Sequence, residues 1–451
     1  MGGQQSIADD MQTLLSFGTR ADYGAAGGTA LLLFSLPLMA AQAWAWPGLV
    51  AASFAAMLGL VVLWQRDPLS KRQILWGALL LRIAFLPLLP GLTDDLYRYI
   101  WDGWLQMEGV NPYRYAPEHE ALSNYQSSQI YPRLNSKPYY SVYPPLSQIF
   151  FAVGGWFYPY GWTVSYYVLK GLFAAAEFGG VVLLSRLTSA RNLLLYAWNP
   201  LVLIETAGQG HTEALLLPLI VGGVWAVRKG RGRLASLAVT GAGLVKIYPF
   251  VLAPFLVRRY GWTAVWPGAV LAVGLSLPYA APYTLPHLKA SVDLFAELLE
   301  FNAGLYYLVK YVFWLLTGAD WSKQIGPAFR YLFLASLPLL YVLDWRWNWS
   351  FRWACLLTIG LFLVLSTTVH PWYFLPVLAL SVLHERPAWP WFWVGTCAIG
   401  TYLFYIDGPY WLWVNLGWGG AAVFGLWWYR IPLRTLVEDG IHAVRNRIPS
   451  P

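Results

Sequence analysis

Residues 91–147 read GLTDDLYRYIWDGWLQMEGVNPYRYAPEHEALSNYQSSQIYPRLNSKPYYSVYPPLS and form the longest polar interruption in an otherwise apolar chain. A carboxylate pair, Asp94 and Asp95, follows the preceding apolar run within a few residues. Acids at the mouth of a membrane helix are costly to place and mark function. The stretch carries two Trp and nine Tyr, so it is no featureless linker. Leu96, Tyr99, Ile100 and Trp104 recur at helical spacing. They predict an amphipathic helix lying on a membrane surface. Asn111-Pro112 ends it, and Tyr143-Pro144-Pro145 makes a rigid entry to the next apolar run, because proline fixes φ and pushes its predecessor extended.

Over the whole chain, 58% of the 451 residues are hydrophobic and only 12% are charged; soluble domains carry about 25% charged residues. Trp, with 27 copies, favours bilayer interfaces. The fold class expected is an all-α polytopic membrane protein. The net charge of +8 sits in short basic clusters between apolar runs, which argues against a nucleic-acid partner. Cys355 and Cys397 both lie inside apolar runs, so neither a disulfide framework nor a thiolate metal site is expected. The polar first 24 residues, with Asp9 and Asp10, do not resemble a cleavable signal, and the first span is expected to serve as the insertion signal.

Spans are predicted at 28–46 and 48–64, joined by a turn at Trp46-Pro47, and at 73–90. The basic segment 65–72 between them is cytoplasmic by the positive-inside rule, which puts the 91–147 loop outside. Basic clusters at 186–191, 228–233, 258–259, 346–352, 386 and 430–447 continue the series. With Arg20 and the 65–72 cluster they hold 19 of the 30 Lys and Arg. GQGHTEA (208–214), STTVHPW (366–372) and FYIDGPY (404–410) fall on the other side and carry no Lys or Arg. Both termini come out cytoplasmic, with 12 to 14 transmembrane helices. The organisation expected is a cytoplasmic segment 1–27, a transmembrane domain 28–429 and a cytoplasmic tail 430–451.

Several apolar segments are shorter than the roughly 20 residues a crossing needs. Residues 192–206 are interrupted by Asn199-Pro200. Residues 234–257 contain Lys246, Pro249 and Pro254 and read as two half-spans, while 145–158 and 304–317 read as interfacial or re-entrant. Broken helices at membrane depth are tolerated where they line a cavity, here one open to the outer face beneath the loop.

The ordered set of an acidic pair, YRYIWDG, NPYRYAP, YPPLSQ, GHTEA (210–214), GLVKIYPF (243–250) and HPWYF (370–374) resembles the bacterial C-type (GT-C) glycosyltransferases, most closely the polyprenol-phosphate-mannose-dependent mannosyltransferases. The resemblance runs from about residue 73 to about residue 376. It implies a GT-C-like bundle that moves a hexose, mannose by preference, from a polyprenyl-phosphate donor to a lipid-linked or envelope glycan or glycolipid acceptor. It places the reaction on the external face of a bacterial inner membrane, by direct displacement with inversion. The family's essential loop acid maps onto Asp94 or Asp95. The chain has Glu213 in GHTEA where the family is expected to carry Asn or Asp before the Ala.

Such a transfer needs a base for the acceptor hydroxyl and a cation for the departing phosphate. Asp94 and Asp95 are the candidate bases; the competing reading is that Thr93 and Asp94 cap the loop helix. Arg98 either contacts phosphate or pairs with Asp94 at i,i+4. Lys246 suits the lipid phosphate, against snorkelling to the interface. His211 and Glu213 are candidate substrate contacts, against capping by Thr212. His370 would touch phosphate or sugar, or be structural. Tyr143 would stack on a sugar or the polyprenyl chain, with most other loop aromatics forming an interfacial belt. Arg82 and Glu177 are expected to pair structurally. No HExxH, CxxC or DxD spacing stands out, so neither a metal nor a cofactor is expected beyond the lipid-phosphate sugar as co-substrate. A bound zinc or calcium would fall to Asp94, Glu118 or His119. Two other classes compete. One is a transporter or flippase of lipid-linked sugars, which usually shows repeats that this chain lacks. The other is a non-catalytic subunit of an envelope-glycan assembly complex.

Overall fold

A computed structural model describes residues 46–426 apart from Pro68 and residues 295–298. The predicted first span, 28–46, therefore lies almost wholly outside the described residues, and the tail 430–451 wholly so. Among the described residues every regular element is a helix, and the one extended pairing is an isolated bridge between Phe301 and Thr368.

The first described helix, α1 (Trp46–Arg66), starts where a turn was expected. Pro47 sits in its first turn, where no intrahelical N–H is lost. Next comes α2 (Lys71–Phe85), opened by a capping box in which Ser70 and Gln73 exchange side-chain and backbone bonds. The loop helix α3 (Asp95–Met107) packs on α4 (Pro145–Trp156), and α5 (Trp162–Ser185) runs the length of the bundle, about 36 Å for its 24 residues. Next come α6 (Ala190–Ala197) and α7 (Pro200–Leu203), separated at Asn199, whose side chain accepts the Leu201 N–H. Beyond these lie α8 (Glu213–Arg228) and α9 (Gly232–Val245), then α10 (Ala253–Tyr260) after a 3-10 turn. The predicted breaks at Asn199-Pro200 and around Lys246 are thus both present.

Three helices are long and apolar enough to cross a membrane alone, and two bent pairs raise the number to five. One bent pair is Pro200–Gly208 with Glu213–Arg228, turned through 117°. Most of the 12 to 14 crossings expected are therefore not single long helices among the described residues. Prolines at the starts of short helices, as at Pro200 and Pro371, interrupt the backbone ladder.

The bundle has two distinct ends. At one, Lys71 Nζ donates to the Ser185 carbonyl, Trp64 to Asn192, and Asn192 to the His384 carbonyl. At the other, the 91–95 segment meets Gln209 and His211. One buried ion pair ties the bundle together: Arg82 grips Glu177 at 2.5 and 2.7 Å and also donates to the Ala197 carbonyl. Lys170 of α5 donates to the Leu86 and Leu88 carbonyls just past α2, and so fixes the strand of chain leading to the acidic pair.

The loop differs from the expectation in one respect. Helix α3 is not a surface helix: Leu96, Tyr99, Ile100, Trp101 and Leu105 are buried, and Arg98, Asp102 and Gly103 with them. Its backbone meets that of α4 at Gly103 and Gly155, where a Cβ on Gly103 would stand 1.9 Å from the Phe151 carbonyl oxygen. Tyr99 stacks on Phe151 of α4, and residues 111–143 fold back as a cover that sets Tyr143 against Tyr99 and Tyr131 against Trp101. Much of the loop's aromatic surface is thus a small core rather than a belt.

Candidate active site

Two chain segments are clamped together by a single amide. The Gln209 side-chain carbonyl accepts the backbone N–H groups of Gly91 and Leu92, each at 3.1 Å. Gln209 itself follows a π-helical turn, Ile204–Gly208. Such turns recur at functional sites because they re-aim side chains. At the next position, Gly210 has φ of +78°, and a Cβ there would press on Lys170 and Leu96. Only glycine meets both demands. The result brings His211 beside the start of α3.

Asp94 occupies the N-cap position of α3, but its side chain makes no capping bond and is exposed. Thr93 does not cap either; its hydroxyl lies 3.3 Å from His211 Nε2. The capping reading of the acidic pair therefore finds no bond to support it. Asp95 begins the helix, where the dipole favours a carboxylate. Its Oδ2 faces His211 Nδ1 at 3.8 Å, and a quarter of its side-chain surface remains open. Burial pushes its carboxyl up to about 6. The Lys246 ammonium opposes this, Glu213 and Asp94 add to it, and a hydrogen bond from Tyr143 opposes it again.

Lys246 sits at the C-terminal break of α9 in extended backbone. Its Nζ lies 3.1 Å from Glu213 Oε1 and faces the rings of Tyr143 and Tyr373 at 5.3 and 5.6 Å. It is largely enclosed, so it does not snorkel. Thr212 makes no capping bond, and its hydroxyl points to Glu213 Oε2 at 3.4 Å instead.

A column of rings forms the wall. His211 stacks on Trp372 at 3.8 Å, Trp372 on His370 at 4.4 Å, and His370 on Phe301 at 4.8 Å. Asp95, Tyr143, His211, Glu213, Lys246 and His370 are therefore brought together, with Asp94 at the margin.

Arg98 is not among them. It pairs with Asp102 at 2.7 Å, not with Asp94, and donates to the Ser136 and Tyr139 carbonyls. The partner lies one turn on because Asp102 faces the α4 side, where Ser141 and Gln148 also donate to it. Arg98 holds the loop's cover down.

Sequence reasoning missed Gln209, Glu205, Trp372 and Tyr402. Glu205 is fully buried; its carboxylate accepts from the Tyr402 hydroxyl at 2.8 and 2.9 Å and lies 3.2 Å from His211 Nε2. A carboxylate inside the apolar run VLIETA was a usable signal. Tyr402 had none in a chain with 29 Tyr. Among the described residues no group of three or more His, Cys, Asp or Glu is arranged to hold a metal ion. His119 lies tilted against Tyr115 and accepts the Ala121 N–H.

A family model described as alpha-(1->6)-mannopyranosyltransferase, N-terminal domain, matches residues 14–261, more than half of the chain. The chain belongs to this mannosyltransferase family. The match covers Asp94, Asp95, Glu205, His211, Glu213 and Lys246 of the mannosyltransferase. His370, Trp372 and Tyr402 lie beyond it. The resemblance read from the motifs is thereby shown, and with it a membrane protein with mannosyltransferase chemistry. Searches of curated proteins and of solved structures each found no significant match.

Proposed function

We propose that the chain transfers mannose from a polyprenyl-phosphate donor to a hydroxyl of a lipid-linked or envelope glycan on the external face of the membrane, with Asp95 as base. The observation that carries this reading is that a partly open carboxylate and an enclosed cation influence each other at one site. Asp95 keeps a quarter of its side-chain surface open and lies within the electrostatic reach of the enclosed Lys246 cation, which Glu213 holds at 3.1 Å.

In the step proposed, the acceptor oxygen attacks the anomeric carbon of the donor mannose and its proton passes to Asp95. The bond from that carbon to the phosphate oxygen breaks, and the polyprenyl phosphate leaves with the electron pair. Lys246 meets the growing phosphate charge. A preorganised cation aimed where charge develops is among the largest contributions a site makes. A single base and a single displacement invert the anomeric centre. The family description supports a 6-hydroxyl as acceptor.

The test is transfer by the purified full chain in lipid nanodiscs, using polyprenyl-phosphate [14C]mannose and octyl α-mannoside. Labelled disaccharide from the lipid donor, and none from a nucleotide-linked mannose, is the expected result. Product from the nucleotide sugar alone would overturn the donor assignment.

A further inference from the structure

Tyr405 belongs to FYIDGPY (404–410), one of the connections without Lys or Arg. It sits in the last turn of a 3-10 helix, Ile399–Ile406. The chain turns sharply just beyond it. Asp407 takes a φ of +53°, its N–H donates to the Phe404 carbonyl at 3.4 Å, and the Gly408 N–H donates to the Leu403 carbonyl at 2.9 Å. This pair of bonds closes a helix end through a left-handed residue. It fixes the backbone from which the Tyr405 ring projects.

Two routes of contact lead from Tyr405 to His211, the neighbour of Asp95. Along the first, the Tyr405 ring stacks on Phe301 at 6.0 Å, and the column continues through His370 and Trp372 to His211. Along the second, the Tyr405 ring lies 6.4 Å from that of Tyr402, whose hydroxyl binds Glu205, and Glu205 lies 3.2 Å from His211. The two routes close a circuit. Its other members are buried or half-buried, whereas Tyr405 is 50% exposed. Asp95 and Asp94 both lie within electrostatic reach of its hydroxyl. The circuit therefore opens at Tyr405, on the side of the acids.

That side has a chemical meaning. A direct displacement brings the nucleophile and the leaving group to opposite faces of the anomeric carbon. The base stands with the nucleophile, and Lys246, over the rings of Tyr143 and Tyr373, stands with the phosphate. A group at the open side of Asp95 borders the incoming acceptor. A pyranose offers a flat face of C–H bonds and a rim of hydroxyls. Tyrosine offers a flat apolar ring with a polar tip, which suits both.

We propose that Tyr405 is an acceptor-binding residue, whose ring packs on the acceptor sugar and so presents the attacking hydroxyl to Asp95. This rests on the reading of Asp95 as base. Tyr405 lies beyond residues 14–261 of the family match. The base and the cation thus come from the matched part of the chain, and this wall of the acceptor site from the rest. The competing role of an exposed tyrosine is an anchor in the bilayer interface, which would leave substrate binding untouched.

The test uses the full chain in nanodiscs, varying octyl α-mannoside at saturating polyprenyl-phosphate [14C]mannose and then the reverse. Tyr405→Ala should raise KM for the mannoside about tenfold, the scale of one lost aromatic contact, with KM for the lipid donor unchanged. Tyr405→Phe keeps the ring and should hold the mannoside KM within about threefold of wild type. An unchanged mannoside KM in Tyr405→Ala, a donor KM that rises as much, or a Tyr405→Phe as impaired as Tyr405→Ala would overturn the proposal. If Tyr405→Ala does not fold, Tyr405→Leu, which keeps apolar bulk without the flat ring, decides by the same readout: a raised mannoside KM supports the proposal and an unchanged one overturns it. Asp95→Asn is run alongside. Full activity in that variant defeats the reading of Asp95 as base, whereas an inactive Asp95→Asn beside a normal mannoside KM in Tyr405→Ala defeats only this inference.

Discussion

The side chain of Gln209 holds the backbone of Leu92 at 3.1 Å, and this bond joins a segment on one side of the site to the start of the helix that carries Asp95. Gly91 is held by the same oxygen. Catalytic geometry depends on this clamp, because Asp95 lies only three residues beyond it.

Gln209→Leu should therefore impair the site from a position that touches no substrate. It leaves two amides without an acceptor, at about 1–3 kcal/mol for a buried group. A displacement of Asp95 by about 1 Å would cost on the order of 10²-fold in kcat. Transfer rate and melting temperature, measured together, check both effects. Wild-type kcat would show that the clamp is dispensable.

The raised carboxyl of Asp95 gives a pH signature. A base must be ionised, so kcat/KM should fall as pH drops through about 6, the value to which burial pushes this group. The Lys246 cation favours the ionised form. Lys246→Met should therefore move the acid limb to higher pH, besides lowering the rate by about 10²-fold. Glu213 favours the protonated form, so Glu213→Gln should move the limb to lower pH. Limbs that move in the opposite directions would show that another group sets the profile.

How far the sequence foretold this arrangement can be judged residue by residue. Breaks at Asn199-Pro200 and near Lys246 were legible because proline and a lone charge inside an apolar run have one local meaning. Placing Asp95, His211, Glu213 and His370 on one side followed from the alternation of basic and non-basic connections, whereas Lys246 was read beside them from its isolation within a broken span. The burial of α3 was not legible. Periodicity reports one apolar face, whereas the second buried face of α3 comes from the Gly103–Gly155 backbone contact and the cover of residues 111–143. Arg98 was read against Asp94 rather than Asp102 for the same reason: helical spacing allows the two acids equally, and only packing on α4 chooses. Tyr402, 197 residues from Glu205, could not be found by any local signal.

The Gly103 contact is itself testable. Gly103→Ala places a methyl carbon inside the van der Waals radius of the Phe151 carbonyl, so α3 and α4 must separate and the chain should lose its monodisperse folded form. Gly179, with nothing within 4 Å of a Cβ, should accept alanine without loss. Size-exclusion profiles in detergent compare the two. Equal behaviour would contradict the backbone contact.

Arg82 and Glu177 offer a test of the buried pair. Removing one partner leaves an uncompensated charge, at about 3–5 kcal/mol. Arg82→Leu and Glu177→Leu should each destabilise strongly, and the double variant should recover part of the loss. Denaturation midpoints of the four proteins form the cycle. A double variant less stable than both singles would contradict the pairing.

The central claim is tested most directly by the rate of [14C]mannose transfer from polyprenyl-phosphate mannose catalysed by Asp95→Asn beside wild type and Asp94→Asn. With Asp95 as base, Asp95→Asn should lose about 10²–10⁴-fold in kcat while still binding the lipid donor, and Asp94→Asn should stay within about tenfold of wild type. Transfer at the wild-type rate by Asp95→Asn would contradict the account.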